Sequence, residues 1–461
     1  MSKYMHDIDI DLIEMTLDIA KYVIHRITEK DRKLGRFKSA EELKALVGTT
    51  ITPDGIGGER ALDLWKNVLE KATASIDHPR HLAFVPAAPS RAAIMFDLVT
   101  SASSIHGAYW MEGAGGIFAE NQAMEWLVSL TGLPQGAFGV FTSGGTAANL
   151  SAMITAREYW RTKDPAHQQH KGILITSTGA HSSVKAMAKI IDAEILLVDT
   201  EDRMTGQDIQ QLIGTIDADK RRRLFGVVAT GGTTNAGIID CLDSIAEVCR
   251  QHDLWYHVDA AYGGGALAAD SVRHLFNGIE KADSITIDPH KWLFSPYDCG
   301  AIIYKDPGLA KKAHAQEGAY LDIFKDKGAD GFNPSDYQIQ LTRRLRGLPL
   351  WFSLAMHGTN TYKKAIERGI ELAQIAAEKI KANPLLELVR EPGLSCVLFR
   401  RKGWLPDDYN RWTFKNLEAG FALVTPTKYR KQGVVETVVR FCFINPDTTE
   451  NDIDSILATM I

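Results

Sequence analysis

The chain has 461 residues, of which 45% are hydrophobic and 24% charged, the balance of a globular protein, so wholesale disorder is excluded. Lys and Arg number 52 against 57 Asp and Glu, leaving a net charge of −5, so nothing draws the chain as a whole to nucleic acid or an anionic membrane. Five scattered cysteines without a CxxC pair argue against a disulfide framework or a zinc cluster, and no metal is expected.

The opening Met1–Asp11 carries acids where a secretion signal has bases and an apolar core, so a cytoplasmic location is expected. Leu12, Ile13, Leu17, Ala20, Val23, Ile24 and Ile27 recur at helical spacing and predict an amphipathic helix over 11–30. Its apolar face must be buried, on its own core or on a partner subunit. A second helix is expected at Ala40–Val47, then a Gly-rich link over 52–58.

From residue 80 to 310 the texture alternates strand and helix. Strands are predicted at Ala137–Phe141, Gly172–Thr176, Ile195–Val198, Leu224–Ala229, Trp255–Val258, Ser284–Ile287 and Ala301–Tyr304. Most are separated by enough chain for a crossover helix, which predicts an α/β fold: a mainly parallel seven-stranded sheet with helices on both faces. Such sheets carry their chemistry at the C-terminal strand ends. The run Lys220–Arg223 reads as a solvated helix end. Residues 314–336, charged and Gly-containing, read as a long mobile loop. Alternating strand and helix signals near the end predict a small C-terminal α/β domain. The expected division is a helical segment over 1–79, a large domain over 80–350 and a small one over 351–461.

Three constellations stand at predicted strand ends. Ser143-Gly144-Gly145-Thr146 leads into a helix whose free N–H groups suit a phosphate, although a plain strand-to-helix turn gives the same pattern. Asp259, ending a strand in His257-Val258-Asp259-Ala260-Ala261-Tyr262-Gly263-Gly264, sets a carboxylate at the sheet rim or caps the next helix. Lys291 follows in Asp288-Pro289-His290-Lys291-Trp292; a lone lysine is ordinarily solvated, but its apolar neighbours favour a desolvated amine of lowered pKa. A phosphate cradle, a carboxylate for a ring nitrogen and a nucleophilic lysine together match the needs of pyridoxal 5′-phosphate. His181, in Gly179-Ala180-His181-Ser182-Ser183, adds a candidate ring-stacking group.

On these segments the chain resembles the group II pyridoxal-phosphate amino-acid decarboxylases, the family of the aromatic-amino-acid, glutamate and histidine enzymes. It is similar in particular to short bacterial tryptophan/tyrosine decarboxylase-like members, through Trp110–Gly115 and Ser143–Leu150. The resemblance implies an aspartate-aminotransferase-like (fold type I) homodimer with residues 1–79 packed on the partner subunit. It makes Lys291 the Schiff-base lysine, Asp259 the partner of the pyridinium nitrogen and His181 the stacking group. Gly144, Gly145 and Thr146 would hold the phosphate with His290, and Thr234 would lie near the ring. Asp288 is expected only to shape its loop. The resemblance implies a pocket drawn from the His78–Ser90 stretch and from the Ile105–Trp110 segment of the partner subunit; an aromatic L-amino acid is the expected substrate, with Ala87 and Ala108 leaving room and Tyr109 and Trp110 able to stack on it, although His106 and Glu112 would suit a polar or basic one.

One departure affects the product. Many members carry a proton-donating loop tyrosine shortly before a Leu-x-Arg-Arg-x-Arg segment. Here that segment is Leu341–Arg346 and the matching position is Pro334. Tyr320, Tyr337 and His181 are the remaining candidate donors, and an aldehyde rather than an amine is the alternative product.

Overall fold

In the computed structural model, which describes residues 6–30, 32–316 and 332–460, seven strands form the main sheet. They are β1 (Phe138–Thr142), β2 (Ile173–Ser177), β3 (Glu194–Val198), β4 (Leu224–Thr230), β5 (Trp255–Asp259), β6 (Ser284–Ile287) and β7 (Gly300–Tyr304). Their order is β1-β7-β6-β5-β4-β2-β3. β7 alone runs antiparallel to its neighbours β1 and β6, and the pairs from β6 across to β3 are parallel. The predicted α/β sheet is therefore present, each strand within one or two residues of its expected place.

Successive strand residues point to opposite faces, and both faces are apolar, as a covered parallel sheet requires. Val140, Leu174, Val228, Trp255 and Ile302 pack on one side with Ala148 and Ala152 of the helix Gly145–Lys163. Their successors Phe141, Ile175, Ala229, Tyr256 and Ile303 pack on the other, against Leu127 of the helix Trp110–Thr131 and Leu242 and Ile245 of the helix Leu242–Gln251.

A second, antiparallel sheet comprises β8 (Leu386–Arg390), β9 (Cys396–Arg401), β10 (Thr425–Lys431) and β11 (Val434–Cys442), in the order β10-β11-β9-β8. It shares a core with the helices Thr359–Ala382, Pro406–Glu418 and Glu450–Ala458. Among the described residues no helix is long and apolar enough to cross a membrane.

At the N-terminus the helix Ile10–Thr28 starts at Asp9, whose carboxylate accepts the Leu12 N–H at 2.9 Å. No residue of it is buried, and Leu12, Ile13, Leu17 and Ile24 are exposed. The helix Ala40–Val47 forms where expected and is closed by a Ser39–Glu42 capping box. The basic run Lys220–Arg223 ends the short helix Ala218–Arg223, with Arg223 paired to Glu194 and Asp219.

Both ends of the expected loop over 314–336 are packed. His314 closes the helix Pro307–His314, buried and within 3.0 Å of the Ser151 carbonyl. From Phe332 onward the chain is packed again: Asn333 Oδ1 accepts the Trp110 N–H at 2.9 Å, and Pro334–Tyr337 form a 3-10 turn. Residues 317–331, with Tyr320 among them, lie outside the described residues.

Candidate active site

The C-terminal ends of β1, β2, β4, β5 and β6 open onto a single cavity of about 550 Å³. Gly144, Gly145, Thr146, His181, Thr234, Asp259, His290 and Lys291 all line it. The sheet thus brings together side chains that lie up to 147 positions apart in the chain, from Gly144 to Lys291.

Gly144 has φ +134, a conformation that side chains rarely adopt, and it directly precedes the helix Gly145–Lys163. A Cβ on Gly145 would stand 2.8 Å from Asp288 Oδ2 and 3.1 Å from the Ala261 methyl. Two glycines are therefore required to leave the helix's first N–H groups bare, and bare N–H groups at the positive end of a helix attract an anion.

Asp259 is buried, its Oδ1 accepting the Ala261 N–H at 3.1 Å and its Oδ2 the Asn149 amide at 2.9 Å. Lys291 follows β6, and its Nζ lies 3.0 Å from Asp288 Oδ2. Burial pulls the Lys291 pKa down, but Asp288 and Asp259 outweigh it, and the net shift is upward from the usual lysine value. The expectation of a lowered pKa is thus corrected: the apolar neighbours are present, with Trp292 and Leu293 fully buried, yet two carboxylates dominate. Asp288 is more than a loop-shaping residue, because it is the lysine's ion-pair partner and its Oδ1 is buried without a hydrogen bond.

Both cavity histidines have a defined tautomer. His290 Nδ1 accepts the Cys299 N–H at 3.1 Å and His181 Nδ1 accepts the Ser183 N–H at 3.2 Å. An acceptor nitrogen carries no proton, so each neutral ring holds its hydrogen on Nε2. Burial lowers the pKa of His290, which keeps it neutral.

Other candidates lie apart from this cavity in their own chain. Tyr337 is stacked on Phe332, ring centroids 4.2 Å apart and planes 12° apart, and does not line the cavity. Tyr109 is buried with Ala108 against Leu341 in its own chain, and Trp110 is half-buried beside Phe96 and Ile105. Neither ring lines the cavity of its own chain.

The protein-family model described as the pyridoxal-dependent decarboxylase conserved domain matches residues 59–402. The chain belongs to the pyridoxal-dependent decarboxylase family. It is 31% identical to an aromatic-L-amino-acid decarboxylase of Bacillus atrophaeus over 408 residues, covering 85% of this chain and 82% of the relative. It is 30% identical to an L-2,4-diaminobutyrate decarboxylase of Acinetobacter baumannii, covering 78% and 75% of the two chains. The crystal structure of mouse CSAD superposes with a TM-score of 0.87 at 26% identity, covering 98% of both chains. This decarboxylase is accordingly a carboxy-lyase acting on an amino acid with pyridoxal 5′-phosphate as cofactor.

The cavity fits that cofactor. The glycine cradle takes a phosphate without a side chain in the way, Asp259 offers a carboxylate to a ring nitrogen, and Lys291 offers an amine. Sequence reasoning passed over two cavity residues of this decarboxylase. Thr230 ends β4 just before Gly231-Gly232 and leaves its buried hydroxyl without a partner; the strand-end reasoning that found Asp259 applies to it equally. Asn149 is a polar residue among Ala147, Ala148, Ser151 and Ala152 on a buried helix face, and that contrast was its available signal.

Proposed function

We propose that this decarboxylase converts an aromatic L-amino acid to its amine and CO₂, acting as a homodimer. The observation that carries the reading is the meeting of Lys291, Asp259, His181 and the Gly144-Gly145-Thr146 cradle in one cavity. In this reading Lys291 Nζ would be the amine that holds the cofactor, and the cradle and the His290 Nε2–H would bind its phosphate. Pyridoxal phosphate, when bound, supplies an electron-withdrawing ring that takes up the electron pair left as CO₂ departs. Asp259 would offer the ring nitrogen a carboxylate in a buried site and so favour its protonated form. Thr234 and His181 would face the cofactor from the cavity wall, and a proton on His181 Nε2 would be available to the substrate carbon.

The aromatic substrate is supported by the likeness to the Bacillus atrophaeus enzyme and by the small Ala87 in the His78–Ser90 stretch. Relatives named for diaminobutyrate and cysteine sulfinic acid set the alternatives. The homodimer, with residues 1–79 on the partner, is supported by a helix Ile10–Thr28 that leaves Leu12, Ile13, Leu17 and Ile24 exposed on its own chain.

A second reading has its own support. Pro334 stands where many members carry the proton-donating tyrosine, and a proline side chain has no proton to give. With that donor lacking, the alternative outcome is oxidation by dioxygen to an aldehyde, with ammonia and hydrogen peroxide released. Incubating the holoenzyme with each of the twenty amino acids, and measuring amine, aldehyde and peroxide together, tests both. Amine from an aromatic substrate without peroxide is the expected result. Peroxide in step with aldehyde selects the second reading, and amine from a basic or acidic substrate alone refutes the aromatic one.

A further inference from the structure

Trp255, His257 and Asp259 alternate along β5 and so project from the same face, beneath the helix Gly145–Lys163. A continuous line of hydrogen bonds joins them through two neighbours. Trp255 Nε1 is 2.8 Å from Ser284 Oγ on β6. Ser284 Oγ is 2.8 Å from His257 Nδ1. His257 Nε2 is 3.0 Å from Asn149 Oδ1, and Asn149 Nδ2 is 2.9 Å from Asp259 Oδ2. His257 and Ser284 are fully buried, and Asn149 is 1% exposed, so no water competes for these bonds.

The chemistry of the two ends fixes the direction of the line. An indole N–H can only donate, so Ser284 accepts it; at the other end Asn149 Nδ2 donates to Asp259, which leaves Asn149 Oδ1 to accept from His257, and a singly protonated ring then takes the Ser284 hydrogen on Nδ1. His257 must then carry its proton on Nε2 and donate to the Asn149 carbonyl. That leaves the Asn149 amide N–H for Asp259. Reversing the line would set the Asn149 carbonyl against Asp259, an arrangement matched only by a protonated carboxyl. A second proton on His257 is opposed by burial, which brings its pKa down to about 4.

We infer that Trp255, Ser284, His257 and Asn149 form a one-way donor chain whose task is to keep Asp259 ionised and aimed into the cavity. The inference rests on the reading of Asp259 as partner of the cofactor's ring nitrogen. All four are positioning residues, since Asn149 alone lines the cavity and the others act through it. Without the Asn149 donor the Asp259 carboxylate becomes more basic, and the proton it shares with the ring nitrogen moves toward Asp259.

The test is reconstitution of the holoenzyme with pyridoxal phosphate labelled with ¹⁵N in the ring, whose chemical shift separates a protonated from a neutral nitrogen. The parent is expected to give the protonated signal. Asn149→Leu, which deletes one charge-assisted hydrogen bond, should shift the proton about tenfold toward Asp259. Trp255→Phe should shift it in the same direction without touching the cavity, which keeps the test open if Asn149→Leu does not fold. Ser284→Ala should behave like Trp255→Phe, and Ser284→Thr, which retains the hydroxyl, should restore the parent signal. A parent without a protonated nitrogen overturns the reading of Asp259 and the donor chain with it. A protonated parent whose folded variants give an unchanged signal overturns the donor chain alone.

Discussion

Arg343 and Glu120 form an ion pair that is almost wholly out of water, with side-chain exposures of 0% and 3%. Arg343 Nη2 donates to Glu120 Oε2 at 2.6 Å and Nη1 to the Gly107 carbonyl at 2.8 Å, while Glu120 Oε1 accepts the Gly347 N–H at 2.8 Å. The pair ties the helix Trp110–Thr131 to the stretch before it and to the Leu341–Arg346 segment. Arg343→Met keeps most of the side-chain bulk but leaves Glu120 with one hydrogen bond and no counter-charge. Breaking such a buried pair costs about 3–5 kcal/mol, a large share of the roughly 5–15 kcal/mol that holds a protein folded. Guanidinium unfolding followed by tryptophan fluorescence measures the loss. Glu120→Gln preserves an acceptor for Gly347, so combining it with Arg343→Met should cost clearly less than the sum of the two single changes. A loss below about 1 kcal/mol for Arg343→Met, the range of an exposed pair, would refute the reasoning.

Acid should destabilise the protein through His257. Its folded pKa of about 4 lies below the unfolded value near 6.5, so the neutral ring favours the folded state above pH 6.5, and that advantage is lost as pH falls toward 4. At 1.36 kcal/mol per pKa unit this amounts to about 3 kcal/mol, and unfolding titrations of His257→Gln should show a shallower pH slope across that window. His181→Asn keeps an acceptor for the Ser183 N–H but has no acidic proton; amine formation should fall about a hundredfold or more, whereas Tyr337→Phe, stacked away from the cavity, should leave rate and product ratio unchanged. Deleting residues 1–30 should yield monomer or aggregate in sedimentation, and a fully active monomer would refute the dimer.

The strands were legible because both faces of the sheet are apolar, and runs such as Leu224–Thr230 have few other places to go. Strand-end logic then located Asp259 and Lys291, since parallel strands bring their C-terminal ends to one rim. What periodicity cannot give is the partner of a buried side chain. His257 meets Asn149 across 108 positions, and nothing near either residue announces the other. Tyr109 packs against Leu341, far along the chain, and nothing near either residue announces that contact. The pKa of Lys291 was misjudged for a different reason: Asp288, only three residues earlier, was read as shaping its loop and not as the lysine's partner, while Asp259 reaches it only through the fold.

The most direct test of the account is borohydride reduction of the yellow holoenzyme followed by peptide mapping. The cofactor should be fixed to Lys291, and Lys291→Ala should fold, lose the covalent adduct and release no CO₂ from any amino acid. An adduct on another lysine, or CO₂ release at the parent rate by Lys291→Ala, would contradict it.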